Sequence, residues 1–374
     1  MIKLNSRERI QCVLNHEKPD RIPLDLGSIA TTLETKACYE LMDHLNLNSK
    51  KNTLKVFRAD HVDLNYFTEI LNRFNIDTRY VHFSKPERPS NEKCHVDEWG
   101  IEWCKTGKYY DVRTPTFETA KMDLLDDFQW PYDLGKSELD RWESEADNFY
   151  KNTEKAVIAN AIGLGIFEQA TWMRGIEEFY KDLYENPDFA SSLLDKVLET
   201  QITIFDRFIA AIGEYVEAFW VLDDLGHQKG LLVAPGKYRE LIKPRQERLY
   251  SYIKKHTDSK LIMHSDGAIR PLIGDLIEIG IDVLNPVQFS ASGMDVKGLL
   301  NDYGEDLSFW GAGCDTQKTL PFGSVADVKK EVRNQLNSFH KEGNLVFSTV
   351  HNIQPGTPPE NIVAMLNEAL NYKS

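Results

Sequence analysis

Two histidines end runs of apolar and β-branched residues, Leu261-Ile-Met-His-Ser-Asp-Gly267 and Val346-Phe-Ser-Thr-Val-His351. In a parallel α/β protein the carboxyl ends of the strands face the ligand, so His264 and His351 stand where chemistry takes place. His264 and Asp266 are two residues apart, which lets both side chains leave on one side, and a histidine ending the last strand can approach across a closed mouth. Two imidazoles and a carboxylate suit a Zn²⁺-like ion with an open coordination position. The competing reading has each histidine hydrogen-bonded to the loops at its own strand end. Cys314 also follows a strand; it can be a soft ligand or a reactive thiol, and buried packing is the commoner role of such a cysteine. Asp223 and Asp224 can serve as general acid or base, or one of them can cap the helix that follows. Beyond Ala156-Val-Ile-Ala159, Glu168 can complete a metal shell or carry a proton, and Arg174 can hold an anionic group, with salt bridging as the alternative for both. The glycines around Gly163 and Gly165 form neither a dinucleotide fingerprint nor a phosphate loop.

Six short apolar segments carry these residues: 156–163, 216–222, 261–264, 282–287, 307–311 and 345–350 read as buried strands. Helical stretches lie between them, among them 269–280, 325–341 and 359–371, the last preceded by Thr357-Pro358-Pro359. Six strand–helix units in a row predict a (β/α)₈ barrel. The remaining strands are expected at Arg21–Gly27 and Ile76–His82. Residues 84–150, rich in Pro, Trp, Asp and Glu and without clear periodicity, are expected to form a long excursion over the barrel mouth. The chain is thus read as one barrel domain over 1–374, with N-terminal strands and the excursion in 1–150 and regular units in 151–374.

With 374 residues, 41% of them hydrophobic, the chain can bury a large core. Its net charge of −14 argues against a nucleic-acid partner or an anionic membrane. No run reaches the roughly 20 apolar residues of a membrane span, and the polar start lacks a signal-peptide core, so a cytoplasmic protein is expected. Five cysteines without paired spacing predict reduced thiols rather than a disulfide framework, with Cys12 and Cys38 as packing residues.

His264-Ser-Asp-Gly267, Asp275 through Gln288 with its Asn285-Pro286-Val287, Phe309-Trp-Gly311 with Asp315-Thr-Gln317, and His351-Asn-Ile-Gln-Pro355 with Pro358-Pro-Glu-Asn361 together resemble the uroporphyrinogen decarboxylase superfamily. Trp99-Gly100 and Trp130-Pro131 extend the resemblance weakly toward the N-terminus. The resemblance implies a (β/α)₈ barrel. True decarboxylases of the family are cofactor-free and carry an Arg-Gln-Ala-Gly-Arg-Tyr segment that binds substrate carboxylates; here the comparable Ile22–Ser28 region has Arg21 nearby and no such clamp. A polycarboxylate would meet a strongly acidic chain without its arginines.

The other branch contains zinc-dependent corrinoid methyltransferases with a His-x-Cys motif and a distant Cys. His264 matches the histidine, while Asp266 and His351 stand where the two thiolates would be. The resemblance then implies a retained but harder site, for zinc or another divalent ion, better suited to polarising an ether oxygen or another oxygen of a methyl donor than to activating a thiol, with O- and N-methyl substrates both open. It implies a small-molecule methyl donor or acceptor, and a corrinoid as methyl carrier on a partner protein. Arg174, Asn285 and Gln288 are the candidate substrate contacts. The alternatives are a metal-free carboxy-lyase acting on a tetrapyrrole, with Asp223 or Asp224 steering protons, and a non-catalytic corrinoid- or tetrapyrrole-binding protein.

Overall fold

The computed structural model describes residues 3–47, 55–58, 60–83, 93–107, 109–132, 134–161, 163–339 and 343–372. Ile162, Lys341, residues 84–92 of the expected excursion and Met1-Ile2 of the polar start lie outside the described residues. Seven parallel strands stand side by side in chain order: β1 (Thr78–Val81), β2 (Ala156–Ala159), β3 (Ala218–Leu222), β4 (Lys260–His264), β5 (Val283–Asn285), β6 (Ser308–Ala312) and β7 (Leu345–Ser348). All six strands expected in the second half are present, and β1 falls inside the expected Ile76–His82 segment.

Residues 23–25 close the ring. The Phe347 amide donates to the Pro23 carbonyl and the Asp25 amide donates back to Phe347, at 2.9 and 2.8 Å, while the Asp77 amide donates to Leu24 at 2.8 Å. The expected Arg21–Gly27 strand is therefore present as a short stave between β7 and β1, with one ladder position at Leu24. Its shortness follows from Pro23, which has no amide to give. This makes the architecture a (β/α)₈ barrel.

Strand parity sorts the core into two layers. Tyr80, Ile158, Trp220, Ile262, Val283, Trp310 and Val346 form one buried cluster in the lumen, and the alternate residues Val157, Phe219, Val221, Leu261, Met263, Leu284, Phe309 and Phe347 pack with the surrounding helices. In the lumen the fully buried Asp25 carboxylate accepts hydrogen bonds from Thr78 Oγ1 (2.6 Å), Tyr80 OH (2.8 Å), Thr31 Oγ1 (2.9 Å) and Trp310 Nε1 (2.9 Å). Burial still raises its carboxyl above the ordinary value.

The expected N-terminal excursion is present and carries secondary structure of its own. It contains an antiparallel sheet (Cys94–Val96, Glu102–Thr106, Tyr109–Thr114) and two helices, Met122–Asp127 and Lys136–Asn152. Asp97 organises the first turn, accepting from the amides of Trp99 and Ile101 and from Trp103 Nε1. Trp103 lies 5.6 Å from Trp172, ring to ring, which docks the sheet on the helix that follows β2. The register sets Cys94 opposite Cys104, and the two form a disulfide. The expectation of five reduced thiols is overturned for this pair, because a separation of 10 residues signals nothing until the hairpin register is known. Cys12, Cys38 and Cys314 remain free thiols.

Asp25→Ala would leave four buried donors without their acceptor. It is expected to lower unfolding free energy by about 3 kcal/mol or more in urea denaturation, against about 1 kcal/mol for Tyr80→Phe. Equal, small losses in both variants would show that Asp25 does not organise the lumen.

Candidate metal centre at the barrel mouth

His264 shares the inward parity of Ile262, and Asn285 that of Val283, so both point into the lumen at the carboxyl ends of neighbouring strands. Asn285 Oδ1 lies 2.6 Å from His264 Nδ1, and Asn285 Nδ2 donates to the Trp310 carbonyl at 2.9 Å. Because the amide nitrogen is committed to that carbonyl, the oxygen faces the imidazole. Nδ1 therefore carries the proton, and Nε2 keeps a free lone pair. Trp220 lies beside this histidine, with ring centroids 6.1 Å apart, and 6.3 Å from Trp310, so indoles line the lumen next to the site.

The turn after His264 sets Asp266. Its amide donates to Asp224 Oδ1 at 2.9 Å, and the next amide, of Gly267, donates to Gln288 Oε1 at 2.7 Å. Gly267 has φ +89°, and a Cβ there would come within 2.5 Å of the His227 nitrogen, so the turn requires glycine. His351 arrives from beyond β7: its Nε2 lies 3.6 Å from Asp266 Oδ2, and its ring centroid 5.8 Å from that of His264. One donor atom each from His264, Asp266 and His351 lies within 4.8 Å of the other two. Ligand atoms on a tetrahedral zinc ion are about 3.4 Å apart, so the separations close with small rotations. His264 is buried at 4% exposure, whereas the side chains of His351 and Asp266 are 39% and 32% exposed and free to make them. The donor set fits a divalent ion with an open position toward the mouth.

Residues 146–372 match the family model of uroporphyrinogen decarboxylase (URO-D), more than half of the chain. The chain belongs to this family. Among solved structures, a methyltransferase from Methanosarcina mazei is similar over 98% of this chain and 98% of its own, at 17% identity and a TM-score of 0.67. A β-glucosidase mutant derived from a hyperthermophilic tetrameric structure aligns over 96% of both chains at 11% identity and a TM-score of 0.44. No curated protein matches the chain. Among the described residues no helix is long and apolar enough to cross a membrane.

In this URO-D family chain the other candidates separate by parity and burial. Asp224 shares the inward parity of Trp220 and Leu222. Burial raises its carboxyl, with His264 opposing the rise and Asp266 adding to it, which places it in the field of the three donors. Asp223 turns outward. Its oxygens accept from the amides of Phe167 (3.0 Å) and Glu168 (2.8 Å) and from Gln246 Nε2 (2.9 Å), so it caps the Ile166–Arg174 helix, which precedes it in the chain. A Cβ on Gly165 would fall 2.3 Å from Asp223 Cγ, so glycine permits this approach. Asp223 is thus a helix cap turned away from the mouth, and the expected direction of capping is reversed.

Glu168, in the first turn of that helix, accepts from Trp172 Nε1 at 3.3 Å and is not among the clustered donors. Arg174, expected as a substrate contact, is buried and donates to Asp182 and to the carbonyls of Phe117 and Glu118, fastening the excursion to the barrel. Asn285 and Gln288, expected as substrate contacts, are bonded to His264 Nδ1 and to the Gly267 amide. Cys314 is buried, its Sγ donating to Glu331 at 3.3 Å, and burial pushes its thiol up; it is the packing residue expected.

Asp223→Ala is expected to cost about 3 kcal/mol of stability, since two helix amides and Gln246 lose their acceptor. Burial raises the Asp223 carboxyl to about 7. Its folded value thus exceeds its unfolded one, and the contribution to stability is full below the ordinary carboxylate range and is lost as pH rises through about 7. Asp223→Asn should flatten the fall in stability between about pH 4 and pH 8, as read by urea titrations at both ends. An unchanged slope would contradict the assignment.

Proposed function

We propose that this URO-D family chain is a metal-dependent methyltransferase that moves a methyl group between a small O- or N-methyl substrate and a corrinoid carried by a partner protein. The observation that carries the reading is the meeting of His264, Asp266 and His351 at one mouth, with His264 Nε2 turned free by Asn285. The full-length likeness in fold to a methyltransferase supports it. His264, Asp266 and His351 would hold a divalent ion, zinc being the first candidate, and the ion would supply Lewis acidity toward the oxygen or nitrogen of the methyl donor. Two nitrogens with one oxygen would leave it more electron-poor than thiolates would. Asn285 holds the His264 tautomer, and Gln288 holds the turn that presents Asp266. Asp224 receives the Asp266 amide at Oδ1 and is the carboxylate beside the three donors that would take or return a proton. Trp220 and Trp310 keep water from the lumen behind the site.

Decarboxylation of a polycarboxylate tetrapyrrole is disfavoured by the arginines. Arg21 is paired with Asp77 and Arg174 with Asp182, so neither is available as a carboxylate clamp.

Purified zinc-loaded protein is expected to methylate a reduced corrinoid from one of a set of methoxylated and N-methylated donors, to lose the activity on chelation, and to leave uroporphyrinogen unchanged. Stepwise decarboxylation of uroporphyrinogen by metal-free protein would overturn the reading. His264→Ala and His351→Ala should each lose zinc while keeping the fold. Asn285→Ala, which keeps all three donors, should weaken zinc binding about 10–100-fold by calorimetry. Unaltered affinity would remove Asn285 from the site.

A further inference from the structure

Among the described residues, a second group of three metal-type donors, separate from that at the barrel mouth, lies on the excursion sheet: Cys94, Glu102 and Cys104, with one donor atom each within 4.8 Å of the others. Cys94 and Cys104 are direct cross-strand partners, and Glu102 lies two residues before Cys104 on the same strand, so all three share one face of the sheet. Asp111, the partner of Cys104 on the third strand, shares that face too. The opposite face carries Trp103 and Val112, which pack on the core, so the cysteine face is turned away from the barrel. Thr114 Oγ1 donates to Glu102 Oε2 at 2.6 Å and fixes that carboxylate, with Oε1 as its second oxygen. The three residues are half-buried, within reach of solvent ions.

We propose that the disulfide masks a thiophilic metal site, and that in the dithiol form Cys94, Cys104 and Glu102 bind a d¹⁰ divalent ion such as Zn²⁺ or Cd²⁺. A dithiol reductant supplies two electrons and two protons, converting the S–S bond to two thiols while being oxidised to its own disulfide. Binding the ion then releases both thiol protons to solvent, giving two thiolates and a carboxylate with a fourth position open to water or Asp111. This site is independent of the barrel centre and of its proposed function.

The test is an anaerobic Cd²⁺ titration of the full chain in the His264→Ala, His351→Ala background, before and after reduction and removal of the dithiol. The reduced chain is expected to gain the ultraviolet sulfur-to-cadmium charge-transfer band, saturating at one equivalent; the oxidised chain should show none. Glu102→Gln should keep the band and weaken the binding. Cys94→Ser combined with Cys104→Ser should abolish the band. In the chain with all its cysteines, Cd²⁺ should protect Cys94 and Cys104 from alkylation, as located by peptide mass, a readout that does not depend on the folding of any cysteine variant. No band after full reduction, a band that survives the double cysteine substitution, or protection of Cys12, Cys38 or Cys314 instead would overturn the proposal.

Discussion

Closure of the ring by residues 23–25 is the constraint on which the mouth depends. Three backbone hydrogen bonds join β7 to β1 through this stave, and without them both strands would be open edges. His264 ends β4 and His351 follows β7, so the curvature of a closed barrel is what brings their rings to 5.8 Å. Asp25 reinforces the closure from inside. Its backbone belongs to the stave, while its carboxylate gathers donors from β1 and from Trp310 on β6. The same Trp310 offers its carbonyl to Asn285, which orients His264. One indole residue thus links the closing stave to the tautomer of a candidate ligand.

Parity along the strands accounts for most of what was legible before the fold was known. An apolar run ending in histidine tells where a strand stops, and counting back by two from His264 reaches Ile262, a lumen residue. The same count from Asp224 reaches Leu222 and Trp220, and from Asp223 reaches Val221, which packs outward. The distinction between an aspartate in the mouth and one that caps a helix was therefore present in the sequence, in the strand register, although composition and adjacency made the two look alike. Asn285 is a similar case: it ends β5 beside His264 in the parallel register, which makes an orienting role readable once β4 and β5 are known to be neighbours.

Other features had no local signal. Arg174 is buried by Asp182 and by carbonyls from the distant 117–118 segment, and nothing near it in the chain separates that fate from anion binding. The cysteine pair depends on the turn that Asp97 builds, and a turn of that kind fixes register through side-chain acceptance rather than through apolar periodicity. The 17-residue helix Lys136–Asn152 was hidden because few of its residues are apolar; it buries Trp142 and Ala146, with Trp142 set edge-on to Phe208 at 5.1 Å.

The central claim is that a URO-D barrel holds a divalent ion through two imidazoles and a carboxylate, without sulfur. X-ray absorption at the zinc edge of the zinc-loaded, disulfide-intact chain addresses it directly. The account predicts a first shell of nitrogen and oxygen at about 2.0–2.2 Å with imidazole scattering beyond it. A sulfur scatterer at about 2.3 Å, or a first shell without imidazole, would contradict it.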